Sequence, residues 1–430
     1  VGRYYHAWKA LLDEDPVDFV VHLGDYVYET DGDPSFQTAA GARKIVLPDG
    51  LVINEEAGTK AAQSLEDYRS LYKQYRSDES LQRVHQLYPF IIIWDDHEFG
   101  NDCWQDHTTH FNGHQGLEEV PEQRQAADRA WYEFQPTGAV FHENASFPDD
   151  IKVYRTLRYG KHVELFITDQ RYYRDAHIIP PTPTNIAVAK IVDYSSVGSR
   201  IFLLKSGFDT IEAEAKPSML GQTQKEWFVD AVKGSNATWK LWGSETQLSQ
   251  MVADLTDFEK VAEIVRNKFY LSTDQWDGYR SERAEILTAL DGVENLVAIT
   301  GDIHAFYASH LYTDFDKPSD KPVAVEYVVA GITSQAIAPA ALSVLDDPAF
   351  ASFGLLELIP DFDKLLKQGS PHYQFASSFS NGIAVANVSA EKFETTFLII
   401  KDPDVTLEAT PDITRKSFQT LSGTSVIEEV

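Results

Sequence analysis

A chain of 430 residues with 43% hydrophobic and 12% aromatic side chains can fill one large α/β core as readily as two or three average domains. Its 37 Lys and Arg against 66 Asp and Glu give a formal charge of −29, leaving no basic field for a phosphate backbone and arguing against nucleic acid as a partner. No run of about 18 apolar residues is present to span a membrane, and a single cysteine, Cys103, excludes an intramolecular disulfide framework.

Val1 falls in the middle of a helical pattern, with no leader or strand before it. The sequence therefore reads as a piece whose natural start, with any targeting signal, lies upstream. Residues 4–12 are predicted helical, stopped before Pro16. They feed an apolar strand over 18–23 that runs into Gly24 and Asp25, with Tyr28 and Glu29 following. A loop rich in Gly, Asp, Pro and Ser continues to about Gly58, with a hairpin expected over 45–53. Ser64-Leu-Glu-Asp67 opens a helix in the manner of a capping box. Leu65, Tyr68, Leu71, Tyr72 and Tyr75, at spacings of three and four, mark its buried face. Leu81, Val84 and Leu87 mark a second helix before Pro89.

The run Ile91-Ile-Ile-Trp94 is too short for an ordinary helix and reads as a strand buried on both faces. It breaks into Asp95, Asp96, His97, Glu98, Asn101 and Asp102 within eight residues. Burying so many charges is costly unless a cation neutralises them, and carboxylate, amide and imidazole suit a hard metal ion. The alternative is a helix cap and an ordinary surface histidine. Two further strands share the pattern: 18–23 delivers Asp25, and 296–300 runs into Gly301-Asp302-Ile-His304. Ligands collect at the carboxyl edge of open α/β sheets, so three such strand ends favour a metal centre over three unrelated caps.

Beyond Trp104, His107, His110 and His114 read as a polar rim, with a zinc site as the alternative, since no cysteine or carboxylate completes a recognised zinc spacing. Residues 121–134 are predicted helical, and a strand over 161–169 ends in Asp169 with Gln170, Arg171 and Arg174 following. An arginine beside a metal centre is suited to clamp phosphate bidentately, with a local salt bridge as the alternative. Residues 177–216, with their proline-rich and Ser/Gly clusters, read as an irregular surface insertion. Thr223-Gln-Lys-Glu226 is expected to cap a helix running through 232. A strand over 238–242, a helix over 282–290 and strands over 324–332, 382–388 and 392–400 complete the pattern. No repeat or linker divides the chain, so residues 1–430 are read as one domain.

Asp25 at a strand end can bridge two cations, and Tyr28 three residues on can face the same centre. A phenolate favours a trivalent, oxidised metal and hence iron over zinc. Asp96, Asn101 or Asp102, and the pair Asp302 and His304 fill the remaining positions. Such a centre activates water and neutralises phosphoryl charge, with His97 placed to protonate a leaving oxygen. Neither a G-x-S-x-G elbow nor a glycine-rich phosphate loop occurs.

Gly24-Asp25-Tyr-Val-Tyr28-Glu29, Trp94-Asp-Asp-His-Glu98 and Gly301-Asp-Ile-His304 resemble the site motifs of PhoD-like alkaline phosphatases. The resemblance covers nearly the whole chain, including Gly2-Arg-Tyr-Tyr-His-Ala7, Asp169-Gln-Arg171, Trp276-Asp-Gly-Tyr279 and Ile332-Thr-Ser334. It implies a calcineurin-like four-layer αββα sandwich, two mixed sheets flanked by helices. It also implies hydrolysis of small phosphate monoesters or diesters with iron (Fe3+) and calcium, by a protein that is secreted, periplasmic or extracellular; a monomer is expected. By resemblance Asp25 is the bridging ligand and Tyr28 the iron ligand, with Asp96, Asp302 and His304 completing the site, while Asn101 enters the metal set from the reading of the residues themselves. From the residues themselves, His97 and Arg171 are the candidates to act on substrate. The family also carries a metal-binding cysteine just before the segment matching Val1-Gly2-Arg3, and Cys103 does not stand in its place. A catalytically silent binding protein of the same fold and a metal-dependent hydrolase of non-phosphate esters remain as alternatives.

Overall fold

Strands apolar on both faces set the central sheet, because successive residues face opposite sides and both sides are covered. The computed structural model describes residues 3–33, 36–37, 43–108, 118–179, 200–346 and 353–430. Among them, four strands run mutually parallel, Ala324–Val328, Leu296–Thr300, Trp239–Ser244 and Val163–Ile167 in spatial order. Antiparallel strands close both sides, Arg155–Tyr159 at one and Phe306–Leu311 then Tyr373–Ser377 at the other. Leu165, Trp239, Leu241, Val297, Val325 and Tyr327 point to one face. There they meet Phe393, Phe397, Leu398 and Phe418 of a four-stranded antiparallel sheet, Ser380–Val388, Lys392–Lys401, Thr414–Leu421 and Glu428–Glu429. Tyr327 stacks on Phe393 at 5.9 Å across this interface. The intervening residues Phe166, Trp242 and Ala298 face the other way, against Phe228, Val232, Ile286 and Leu287 of helices Gln222–Gly234 and Arg280–Ala289.

The other two motif strands form a separate parallel pair, Val20–His22 with Phe90–Ile92. Here the structure corrects an expectation. The 91–94 run is buried from Ile92 onward and Leu296–Thr300 along nearly its whole length, as expected, whereas Val20–His22 is half-buried throughout. The Val20–His22 strand borders a cavity of about 690 Å³, lined among others by Trp8, Val21, Leu241, Tyr327 and Ile383, that extends to Asp25 and Asp302.

Local signals placed several elements well. Ser64 and Asp67 form the expected capping box at the head of helix Leu65–Tyr75, and helix Pro121–Phe134 begins on its proline. Three readings are revised. The hairpin lies at Leu51–Asn54 and Thr59–Ala61, because the Asp31 carboxylate accepts N–H groups from both Leu47 and Lys60 and pins the preceding segment. The helix near 223 starts after Gly221 with no side-chain cap, and Gln224 turns inward to bond the backbone of Asp169. Within the expected irregular insertion, Ile201–Leu204 is a strand paired to Lys268–Ser272, and Lys205–Ala215 is a helix. Phe202 stacking on Phe269 at 4.2 Å fixes that strand. Residues 180–199 of that stretch lie outside the described residues. No described helix is long and apolar enough to cross a membrane.

Candidate metal centre

The centre forms where three strand ends meet, and the closeness of two of them depends on Gly24. A Cβ built there would lie 2.4 Å from the backbone nitrogen and Cβ of Asp95, and φ at Gly24 is +106°. Glu98 then fastens the two ends together. Its carboxylate accepts the N–H groups of Asp25 (3.0 Å), Tyr26 (2.6 Å), Val27 (3.3 Å) and Asp95 (2.7 Å). Asp25, Asp302 and His304 all adopt left-handed backbone, at φ 55°, 62° and 55°. Such conformations are uncommon for non-glycine residues and cluster at functional sites.

Asp25, Asp95, Asp96 and Asp302 each offer a carboxylate oxygen, and these oxygens lie within 4.8 Å of one another. Two overlapping groups share Asp96: Asp25, Asp96 and His97, and Asp96, Asp102 and Asp274. Asp25 Oδ1 and Asp95 Oδ2 are buried without a hydrogen-bond partner. Burial, reinforced by Asp96, Asp274 and Asp25, pushes Asp302 up to about 6 against the pull of Arg171. Burial likewise takes Asp102 to about 7 and holds Asp95 well above the usual carboxylate range. An arrangement this acidic, with unsatisfied buried oxygens, suits a multivalent cation.

The nitrogen and phenol donors converge on the same place. His304 Nδ1 lies 2.7 Å from the backbone oxygen of Gln335, which can only accept. The proton therefore sits on Nδ1, and Nε2 presents its lone pair 4.0 Å from Asp25 Oδ2 and 3.4 Å from the Tyr28 hydroxyl. Tyr28 donates to Asp25 Oδ2 at 3.1 Å, and burial with the Asp25 charge holds its phenol well above the usual range. Asn101 is tied through its backbone N–H to Glu29 Oε1 at 2.9 Å. His97 Nδ1 lies 2.7 Å from Glu29 Oε2, and its ring sits 4.2 Å from Tyr28 and 4.7 Å from Phe36. Burial alone would lower its pKa, but Asp96 and Glu29 overcome this and hold it well above the ordinary value.

The match to the PhoD-like phosphatase family model covers residues 2–397. The chain belongs to the PhoD-like phosphatase family. It is 28% identical over 417 residues to alkaline phosphatase D of Bacillus subtilis (strain 168), covering 96% of this chain and 59% of that protein. It thus spans about 59% of the length of this curated relative. A solved chain described as the structure of PhoD superposes with a TM-score of 0.71 at 24% identity, covering 100% of this chain and 69% of that one. The shared fold is a mixed α/β arrangement of several sheets and helices.

Within this member of the PhoD-like phosphatase family, the residues expected from the motifs, Asp25, Tyr28, Asp96, His97, Asp302 and His304, do converge. Arg171 is found elsewhere than a free clamp would be. Its guanidinium is fully buried, with Nε 2.5 Å from Asp95, Nη1 2.7 Å from Asp274 and Nη2 3.1 Å from Asp302. In this arrangement its donors face carboxylates, and it acts as their counter-charge. Arg174 joins Asp274 at 2.6 Å. Cys103 belongs to none of the donor groups among the described residues, and burial pushes its thiol up to about 12. The His107 ring stacks on Trp104 at 3.8 Å, while His110 and His114 lie outside the described residues. Sequence reasoning passed over Asp95 as a donor in its own right, and missed Asp274 and Phe36. The Asp-Gln-Trp-Asp-Gly run from Asp274 to Gly278 was the available signal for the second; none marked Phe36 in its loop.

Proposed function

We propose that this chain is the catalytic domain, over residues 1–430, of a metal-dependent phosphoesterase that hydrolyses small phosphate monoesters or diesters. The observation that carries this reading is the set of four carboxylates within 4.8 Å of one another, Asp95 and Asp96 buried and Asp25 and Asp302 half-buried, two of them with unpartnered buried oxygens, at converging strand ends. Family membership and the alkaline phosphatase relative support the same chemistry. Asp25, Tyr28, Asp96, Asn101, Asp302 and His304 would hold iron (Fe3+) and calcium, with Asp95 as an additional oxygen donor. The phenol and imidazole suit iron, and the carboxylates suit calcium. Bound there, the metals supply Lewis-acid charge to the phosphoryl oxygens and the attacking water.

His97 meets the departing oxygen and returns a proton to it. The Phe36 and Tyr28 rings shield this imidazole and help exclude bulk water. Arg171 keeps the acidic cluster from repelling itself apart and adds positive charge behind the reacting phosphate. The seven-stranded and four-stranded sheets, with helices on the outer face of the first and His6–Leu12 beside the second, are read as a calcineurin-like αββα sandwich. The protein is further proposed to act as a monomer without nucleic acid, and to be exported like the family to which it belongs.

Elemental analysis of the purified protein, with activity on paired monoester and diester aryl phosphates, tests the reading. Asp25→Asn and His304→Ala are expected to lose orders of magnitude in turnover while circular dichroism stays unchanged. Near-parental rates in both variants would remove the metal centre from the mechanism.

A further inference from the structure

The His97 imidazole does not hold its position by ring packing alone. A tilted contact with Tyr28 and an edge-on contact with Phe36 restrain the ring's tilt, but rotation in the ring plane needs a directional contact. Among the described contacts, Glu29 supplies one. It lies four residues beyond Asp25, is 0% exposed, and sets Oε2 2.7 Å from His97 Nδ1. Its other oxygen accepts the Asn101 N–H at 2.9 Å, so the carboxylate itself is anchored at both ends. Gly100 lets that backbone close in: a Cβ there would meet Thr108 Oγ1 at 2.4 Å and stand 4.0 Å from Glu29 Oε1.

We propose that Glu29 is a positioning residue that fixes the His97 ring, with Nδ1 engaged and Nε2 left to meet the oxygen departing from phosphorus. An ionised carboxylate cannot donate, so it accepts the hydrogen bond from Nδ1–H and selects one orientation of the imidazole. No bond to substrate is required of Glu29. Its carboxylate, placed behind the ring, steadies the positive imidazole that gives up its Nε2 proton. This role rests on the reading of His97 as the group that protonates the leaving oxygen.

Leaving-group dependence separates the role from a general effect on folding or metal content. A dinitrophenolate leaves without a proton, whereas an alkoxide does not. Glu29→Gln keeps the size but must present either an N–H to Nδ1 or an N–H to Asn101, so one of the two contacts is lost. With metal content matched by elemental analysis, Glu29→Gln should lower kcat on alkyl phosphates about 10- to 100-fold. On 2,4-dinitrophenyl phosphate it should change kcat by less than about 3-fold, and His97→Ala should show the same split, larger. Glu29→Asp, which keeps the charge and withdraws it by one methylene, is expected to give a smaller split and serves if the glutamine variant does not fold. Equal losses on both substrates, or no loss on either, would overturn the positioning role. A split in His97→Ala with none in Glu29→Gln or Glu29→Asp overturns this proposal alone. No split in His97→Ala overturns the proton-donor reading and this proposal with it.

Discussion

Glu98 illustrates what single side chains do here that a linear motif does not reveal. In sequence it is the last residue of Trp94-Asp-Asp-His-Glu98 and looks like one more donor. In the fold it faces inward and accepts four backbone N–H groups from two strand ends. Each such group, if left buried and unpaired, would cost about 1–3 kcal/mol. Asp25, Asp302 and His304 were legible because their side-chain chemistry sits directly at strand ends. Asp274 was not, since its contacts with Arg171 and Arg174 cross about a hundred residues of chain. A second kind of buried group lies outside the donor groups of the centre. His372 is 6% exposed, with Nε2 2.8 Å from the Gln250 carbonyl, and burial lowers its pKa to about 3. The unfolded value is about 6.5, so between these limits the unfolded chain binds the extra proton. Stability from this group is complete above about pH 6.5 and is lost, at roughly 1.4 kcal/mol per pH unit, as pH falls toward 3. His372→Gln keeps a donor for Gln250 but does not titrate. Urea unfolding from pH 7 to 5 should therefore show the variant gaining on the parent by about 2 kcal/mol. A pH-independent difference would place the His372 pKa near its ordinary value in the fold.

At the scale of elements, legibility followed the range of the interaction that decides each one. Helices Leu65–Tyr75 and Pro121–Phe134 carry their own start signals and apolar stripes, and both appear where expected. The start of helix Gln222–Gly234 is decided instead by Gln224 reaching Asp169, and strand Ile201–Leu204 by Phe202 meeting Phe269. Neither partner is near in sequence. The half-burial of Val20–His22 has the same origin, since the cavity beside it is walled by Tyr327 and Ile383 from distant strands. The joint between this strand and Phe90–Ile92 is where element packing becomes site geometry. Gly24→Ala would add a Cβ 2.4 Å from Asp95 at φ +106°, so the strand ends must separate. The expected outcome is a loss of several kcal/mol of stability together with most of the bound metal. Gly292→Ala is the control, because it imposes strain at φ +85° with no atom within 4 Å. It should cost about 1 kcal/mol and leave metal stoichiometry unchanged. Metal loss of equal size in both variants would show that Gly24 matters for backbone freedom and not for the approach of Asp95.

For the molecule as a whole, the charge of −29 acts in opposite senses on the two ligands of the proposed reaction. Cations are drawn toward the protein, so metal affinity should weaken as salt rises. A phosphate ester is an anion and is repelled at long range until it reaches the local charge of the metals and of buried Arg171 and Arg174. Screening shortens that repulsion to about 10 Å at 0.1 M salt while leaving contacts inside the centre nearly untouched. With metal held saturating, kcat/KM should therefore rise a few-fold as sodium chloride increases from about 10 to about 200 mM, and kcat should stay level. The rise should be steeper for a doubly charged monoester than for a singly charged diester, because the repulsion scales with substrate charge. Matching osmolarity with sucrose separates screening from solvent effects, and measuring both substrates on one metal-loaded preparation removes differences in occupancy. A fall in kcat/KM with salt under those conditions would mean that a basic surface near the mouth of the site outweighs the net charge and steers substrate inward.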